Sequence, residues 1–206
     1  YDSGIFTDTE LESLKSNLQL VLDTCLGPER FTWNDIRWTL GADALRIVAA
    51  TALYSFVFPG DGVSDGYRSH SMRHFEENLM HGPGPDGYWR MDSPGQIDDA
   101  MRYLIITAKL FRNAGVFDPF SDAQFRLTLA SGIPLLPPQQ EGPLSNDFMV
   151  APFGDTDPAG NLGVVAVWAA ADIMAYEPEL ASRISWFWAE CAKPVEPLSL
   201  LFVDTS

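Results

Sequence analysis

Apolar residues recur at helical spacing in several segments of this chain, and the clearest of these segments begins at Pro94. Ser93, Pro94 and Gln96 have the spacing of an N-cap, a first helical residue and the third residue of a capping box. One face of the predicted helix is apolar, with Ile97, Met101, Leu104, Ile105, Ala108 and Phe111. The other face is charged, with Asp98, Asp99, Arg102, Lys109 and Arg112. Gly115 is placed to end this amphipathic helix.

The same periodicity predicts two helices before it. The segment Thr7-Asp8-Thr9-Glu10 reads as a capping box that opens the first helix, and Gly27-Pro28 ends it. Its predicted buried stripe consists of Leu11, Leu14, Leu18, Val21, Leu22 and Cys25. A second helix starts near Thr32 or Asn34 and runs to about Phe58. Because it is apolar on more than one side, we expect protein to surround it.

Further helices are predicted over about 65–80 and 121–131, after Asp157-Pro158, and after Pro178. The segment 134–146 reads as a long surface loop. No segment of any length shows the alternation of apolar and polar residues that is typical of a β-strand. We therefore predict a single all-α domain over 1–206, built as a helical barrel or layered array of antiparallel helix pairs rather than a four-helix bundle.

Charge narrows the possible partners. The 206 residues carry a formal net charge of -15 with only 13 Lys and Arg, so nucleic acid is not an expected partner. An acidic polymer would also be repelled at long range unless arginines gather at its site. No apolar run approaches the roughly 20 residues of a membrane span, so we expect no membrane partner. Because the sequence begins at Tyr1 and stops at Ser206, we expect either a removed signal peptide or a piece of a longer protein.

The sequence predicts neither a cofactor nor a metal. No phosphate loop, dinucleotide fingerprint or cysteine-based metal spacing is present. Cys25 and Cys191 lie on apolar helical faces, which favours free thiols over a disulfide. His70, His74 and Glu77 share a helix face and are geometrically able to hold zinc, but the polar helix around them favours a solvated face.

Two groups of residues have the chemistry of a sugar site. Asn34, Arg37 and Trp38 are neighbours at the start of the second predicted helix, where they offer an amide, a guanidinium and an indole. Such a set suits a sugar or uronate, although Asn34 as a cap and Trp38 as core is the alternative. The loop before the central helix has two aromatic and two charged side chains, Tyr88, Trp89, Arg90 and Asp92. These form either a sugar platform with an anion contact or a plug between helices.

Two further polar residues precede predicted helices. Gln96 belongs to the capping box and is also a candidate for substrate binding. Asp155 lies before Asp157-Pro158, where it either organises the loop or contacts substrate, while Asp157 reads as a cap.

Three motifs in this order carry a family resemblance: residues 33–38 opening one helix, Asp86-Gly87-Tyr88-Trp89 with Ser93-Pro94 opening another, and residues 152–156 before a third. The pattern resembles the helical domain of heparinase II/III-like and alginate-lyase-like polysaccharide lyases. This resemblance implies an incomplete α/α toroid, normally followed by β-sandwich domains, in a secreted or periplasmic protein.

The resemblance also implies a reaction, β-elimination on a uronate-containing polysaccharide or oligosaccharide. Asn34 matches the family's Asn that neutralises the uronate carboxylate. Many members have His directly after that Asn, whereas this chain has Asp35. Members usually carry a Tyr just after the Ser-Pro-like step, whereas this chain reads Gly95-Gln96, so Tyr88 and Tyr103 are the candidates for proton transfer.

Two other functions fit the same sequence. One is a toroid glycoside hydrolase that uses a carboxylate pair drawn from Asp92, Asp98 and Asp155. The other is a non-catalytic carbohydrate-binding or scaffold domain.

Overall fold

The computed structural model describes residues 6–26, 42–60, 62–87, 94–130 and 165–187. Helices in these ranges are α1 (Asp8–Leu26), α2 (Ala42–Val57), α3 (Gly62–His81), α4 (Pro94–Asn113), α5 (Ala123–Ala130), α6 (Ala170–Ile173) and α7 (Pro178–Phe187). Short 3₁₀ segments cover Pro119–Ser121 and Val165–Ala169. The described residues contain no strand, so the predicted all-α class is confirmed for this part of the chain. None of the described helices has the length and apolarity to cross a membrane.

The capping box predicted at the start of α1 is present. The Thr7 backbone N–H donates to Glu10 Oε2 at 2.7 Å, and the Glu10 N–H donates to Thr7 Oγ1 at 3.3 Å. The backbone bond from Thr7, helped by its hydroxyl, lowers the pKa of the Glu10 carboxyl. The reciprocal bonds satisfy N–H groups that the first turn leaves without helical partners.

Both predicted ends of α4 are confirmed in its backbone. The helix begins at Pro94 and closes with a Schellman motif, in which Val116 N–H donates to Phe111 O and Gly115 N–H to Arg112 O, each at 3.0 Å. Gly115 has φ +67°, the left-handed conformation that this motif needs and that glycine adopts without a steric penalty. The predicted cap Ser93 lies outside the described residues.

The core lies between α2, α3 and α4. α2 is buried on more than one side, as predicted for an inner helix; its buried residues are Ala44, Leu45, Val48, Ala49, Thr51, Ala52, Tyr54 and Ser55. α4 contributes the apolar face that its sequence pattern predicts, with Met101, Leu104, Ile105, Ala108 and Phe111 buried. Aromatic rings also pack in this core. The centroid of the Phe75 ring lies 5.4 Å from that of Phe111 and 6.0 Å from that of Phe125, and both pairs are edge-to-face.

Contacts between α2 and α4 fix their relative direction. Arg46 near the start of α2 meets Tyr103 in the middle of α4, and Phe56 near the end of α2 lies 6.0 Å from Phe111 near the end of α4. The two helices therefore run parallel. α3 packs against α2 and runs antiparallel to it, because Ser64 bonds the Phe58 carbonyl and the Tyr67 ring lies against the Tyr54 ring.

The segment 165–173 continues this order on the other side of α4. The Arg102 guanidinium carbon lies 5.5 Å from the Trp168 ring, and Lys109 and Arg112 both bind Asp172. Later residues of the segment again meet later residues of α4, so it runs parallel to α4 and α2. α7 then packs back against this segment.

Several predicted details differ in the structure. Of the predicted α1 stripe, Leu22 is buried, whereas Leu14, Leu18 and Val21 are exposed. The helix predicted after Pro158 is described only from Val165, where it is a 3₁₀ segment followed by a single α turn. By contrast, the helix predicted over about 121–131 is confirmed as α5 (Ala123–Ala130), and Asp122 caps it by accepting the Phe125 N–H at 2.8 Å.

Candidate functional site

The described part of the candidate site is a tyrosine held by an arginine across two parallel helices. Arg46 Nε on α2 donates to the Tyr103 hydroxyl oxygen on α4 at 2.9 Å. The Arg46 guanidinium carbon also lies 5.3 Å from the centroid of the Tyr103 ring, within cation–π range. Tyr103 is half-buried and Arg46 is exposed, so the pair lies where the helix layer meets solvent.

The local sequence explains why these side chains meet at the surface. Tyr103 borders the buried face of α4, and Thr107 one turn later donates its hydroxyl to the Tyr103 carbonyl at 2.7 Å. Within α2, Asp43 and Arg46 are the charged residues, and both are exposed while the rest of the helix is largely apolar. Asp43 Oδ1 lies 3.4 Å from Arg46 Nη1, so a nitrogen other than the one bonded to Tyr103 contacts the carboxylate.

A second described feature is the turn over 84–87, which directly precedes Tyr88 and Trp89 in the sequence. Gln124 on α5 donates to the Gly84 carbonyl at 2.7 Å, and the Gly87 N–H donates to the same carbonyl at 2.9 Å. Gly87 has φ +82°, and a Cβ there would lie 2.6 Å from the Leu127 carbonyl oxygen. The glycine is therefore required by both its conformation and its contact with α5.

Most of the residues predicted from the sequence fall outside the described part of the chain. They are Asn34, Arg37, Trp38, Tyr88, Trp89, Arg90, Asp92 and Asp155. Gln96 is the third residue of α4, as predicted, and Asp98 lies in the same first turns; the side chains of both lie outside the description. Tyr103 is thus the predicted site residue whose surroundings are described, and Arg46 is the partner that the sequence analysis missed.

The prediction that His70, His74 and Glu77 lie on a solvated face of α3 is only partly correct. His74 is 3% exposed, and His70 and Glu77 are half-buried. Burial, together with the charge of Arg73, lowers the pKa of His70. Among the described residues, no group of three or more His, Cys, Asp or Glu side chains is arranged to hold a metal ion.

A network of ion pairs occupies the far end of α4. Asp172 on α6 accepts from both Lys109 and Arg112, and Arg112 Nε lies 3.4 Å from Asp118 Oδ2. The Tyr176 hydroxyl donates to the same Asp118 oxygen at 2.7 Å, which raises the pKa of Tyr176. In this network carboxylates already contact the cations, so we assign it to joining α4, the Pro119–Ser121 turn and the end of α6.

The geometry at Tyr103 has a chemical consequence. A tyrosine hydroxyl has one proton to donate and lone pairs to accept with. Because the oxygen of Tyr103 accepts from Arg46, the Tyr103 proton is left to donate to another acceptor. A positioned phenol of this kind can act as a general acid, with a guanidinium beside it to attract an anionic ligand.

Compared with known proteins, the chain matches no family model, no curated protein and no solved structure. The resemblance to polysaccharide lyases therefore rests on the three short sequence motifs alone.

Proposed function

We propose that this chain is the toroid portion of a secreted polysaccharide lyase that acts on a uronate-containing glycan by β-elimination. The observation that carries the proposal is the hydrogen bond from Arg46 to Tyr103 at the surface between α2 and α4. It joins a proton donor to a cation, and both are needed where an acidic sugar is cleaved.

The proposed reaction uses the predicted residues in three roles. Asn34 hydrogen-bonds the uronate carboxylate, which makes the C5 proton easier to remove. Tyr88, acting as its phenolate, takes that proton and becomes a neutral phenol, the C5–H electron pair forms the double bond between C4 and C5, and the bond from C4 to the glycosidic oxygen breaks. Tyr103, whose oxygen accepts from Arg46, gives its proton to the leaving oxygen.

Arg46 supplies a local positive charge that offsets the repulsion between this acidic chain and an acidic glycan. A protein of charge -15 repels an acidic polymer at a distance, yet a guanidinium at the site attracts a carboxylate at short range. Asp43 holds Arg46 at 3.4 Å through a pair whose two side chains are exposed, so a uronate carboxylate can compete for the same guanidinium.

The helix order supports the toroid part of the proposal. In such a fold the inner helices run parallel and the outer helices return between them, and α2, α4 and the segment 165–173 have the parallel order. The three motifs each occur in the chain shortly before one of these parallel segments.

The test is the near-ultraviolet absorbance of unsaturated uronate during incubation with alginate, glucuronan, heparan sulfate and chondroitin. We expect absorbance to grow with one of these glycans, and Tyr103→Phe to lower kcat by about 100-fold or more, since a general acid contributes on the order of 10²–10⁴. Asn34→Ala should abolish turnover. The control is Tyr176→Phe, which removes a hydroxyl bound to Asp118 in the separate ion-pair network.

Each other outcome favours a different function. New reducing ends without absorbance, unaffected by Asn34→Ala, would favour the carboxylate-pair hydrolase. Glycan binding without cleavage would favour the binding or scaffold domain. Full lyase activity in Tyr103→Phe would contradict the role given to Tyr103.

A further inference from the structure

The first helix is held by a small packing cluster whose buried residues are distinct from those of the core between α2, α3 and α4. Leu22 is the buried residue of α1, and it packs with Tyr54 of α2 and Tyr67 of α3, which are 2% and 7% exposed. Leu26 and Phe58 are partly buried against this group, and Leu26, at the end of α1, also touches the core. We call these five residues the docking cluster.

Hydrogen bonds from two tyrosines add to the docking cluster. The Tyr67 hydroxyl donates to the Asp23 carboxylate, and the Tyr54 hydroxyl donates to Gln19 Oε1 at 3.5 Å. Burial, followed by the bond to Asp23, raises the pKa of Tyr67, so its hydroxyl stays protonated as a donor. The centroids of the two tyrosine rings lie 5.3 Å apart in edge-to-face geometry. Gln19, Leu22 and Asp23 are spaced i, i+3 and i+4, so α1 docks along one narrow stripe.

Before this stripe, the side chains of α1 are largely exposed. Leu11 and Lys15 are half-buried, and the other residues over 8–18 are exposed. The capping box of Thr7 and Glu10 satisfies N–H groups within the helix and does not join it to α2 or α3. Because most helix stability in proteins comes from packing one face against the rest of the chain, α1 depends on the docking cluster.

We propose that α1 is a strap that undocks from α2 and α3 while the core between α2, α3 and α4 stays folded. Local opening of this kind occurs where few buried apolar side chains hold an element, and in α1 the buried side chain is Leu22. Undocking uncovers Tyr54 and Tyr67, so this surface of α2 and α3 alternates between a covered and an open state. The docking cluster contains neither Arg46 nor Tyr103, and the proposal is therefore independent of the proposed lyase reaction.

Hydrogen exchange of the full chain, followed by mass spectrometry of peptic peptides, measures the opening of each helix. We expect the amides over 19–26 to exchange on the order of 100-fold faster than the slowest amides of α4, yet more slowly than an unstructured peptide. The two groups should also differ in their response to low concentrations of urea. Undocking of α1 exposes little surface, so its exchange should depend weakly on urea, whereas exchange of α4 by global unfolding should accelerate steeply.

A first pair of variants separates undocking of α1 from global unfolding. Tyr67→Phe removes the hydroxyl that binds Asp23 and should speed exchange over 19–26 by about tenfold. Asp172→Asn weakens the ion-pair network on α4 and should speed the slowest α4 amides by about tenfold. It should leave exchange over 19–26 unchanged, because the docked and undocked states lose the same ion pairs.

A second pair of variants tests the docking cluster with one substitution at two places on α1. Leu22 is 7% exposed and Leu20 is 66% exposed. Leu22→Ala should speed exchange over 19–26 by about tenfold or more, because it removes the buried anchor. Leu20→Ala is the matched control and should change this exchange little. Circular dichroism checks that each variant keeps its helices.

Four results would overturn the proposal. Equal exchange rates and equal urea dependence in α1 and α4 would mean that α1 opens only with the whole molecule. Exchange over 19–26 as fast as in an unstructured peptide would mean that α1 is not docked. Equal acceleration of α1 by Asp172→Asn and Tyr67→Phe would place α1 in the same cooperative unit as α4. Equal effects of Leu20→Ala and Leu22→Ala would mean that the docking cluster does not hold α1.

Discussion

Gly87 combines two constraints at one residue. Its φ of +82° disfavours any side chain, and a Cβ would meet the Leu127 carbonyl oxygen at 2.6 Å. Gly115 has only the first constraint, because φ is +67° and nothing lies within 4 Å of its Cβ position. Comparing substitutions at the two glycines therefore distinguishes the cost of backbone strain from the cost of steric contact.

We predict that Gly87→Ala destabilises the chain more than Gly115→Ala does. The strain alone should cost about 1 kcal/mol in Gly115→Ala, and the added contact should bring Gly87→Ala to about 2–3 kcal/mol. Chemical denaturation of both variants measures the difference. Equal losses would mean that α5 moves away from the turn over 84–87 without cost, so that contact with α5 would not be a reason for glycine at position 87.

At the same scale, the sequence contains a feature that could have identified Arg46 as a candidate site residue. α2 is otherwise apolar, and Asp43 and Arg46 are its charged residues. The sequence does not say what such an arginine contacts. Its partner Tyr103 is 57 residues away, and only the packing of α2 against α4 brings the two together.

At the scale of helices, the clearest contrast is between two ion pairs. The pair of Lys109 and Asp172 joins α4 to α6 with side chains 15% and 16% exposed. The pair of Arg46 and Asp43 lies within α2 with side chains 55% and 78% exposed. Burial strengthens the first interaction and also raises the cost of breaking it.

We predict that Asp172→Asn lowers the free energy of unfolding by about 1–3 kcal/mol. The change leaves Lys109 and Arg112 near the core without their shared carboxylate. Asp43→Asn is the control and should cost less than about 1 kcal/mol, because its pair is exposed. A loss in Asp172→Asn no greater than in the control would contradict a joining role for the network. Urea denaturation measures both.

For the whole molecule, we expect the stability to depend on pH through two groups, the His70 imidazole and the Glu10 carboxyl, which act in different pH ranges. Burial and Arg73 lower the pKa of His70 below its ordinary value of 6.5, so the unfolded chain binds a proton there more readily than the folded chain. Stability should therefore fall as pH drops through about 6.5. The Glu10 carboxyl has the lowered pKa of a capping acid, so its contribution is present above its ordinary value of 4.5 and is lost as pH falls below it.

We predict that His70→Gln reduces the loss of stability between about pH 7 and pH 5.5, where the histidine titrates. Glu10→Gln should leave that interval unchanged and alter stability only in more acidic solution. Thermal unfolding at several pH values, compared among wild type and the two variants, measures this. An unchanged slope in His70→Gln would mean that another group controls stability in that interval.

The sequence alone determined the helical class and several helix ends. Periodicity identified α4 and its buried face, and local rules placed the start of α1 at Thr7 and the end of α4 at Gly115, because a capping box and a Schellman motif involve residues within one or two turns. The family resemblance, rather than these local rules, named Tyr103 as a candidate, and it gave Tyr103 no partner.

Only the tertiary structure decided which side of each helix is covered. Periodicity predicted Leu14, Leu18 and Val21 to be buried, but hydrogen bonds from Tyr54 and Tyr67 hold α1 at a different rotation. The parallel order of α2, α4 and the segment 165–173 was likewise beyond the sequence. Helix propensity and capping are local, whereas helix rotation and direction depend on contacts between residues that are far apart in the chain.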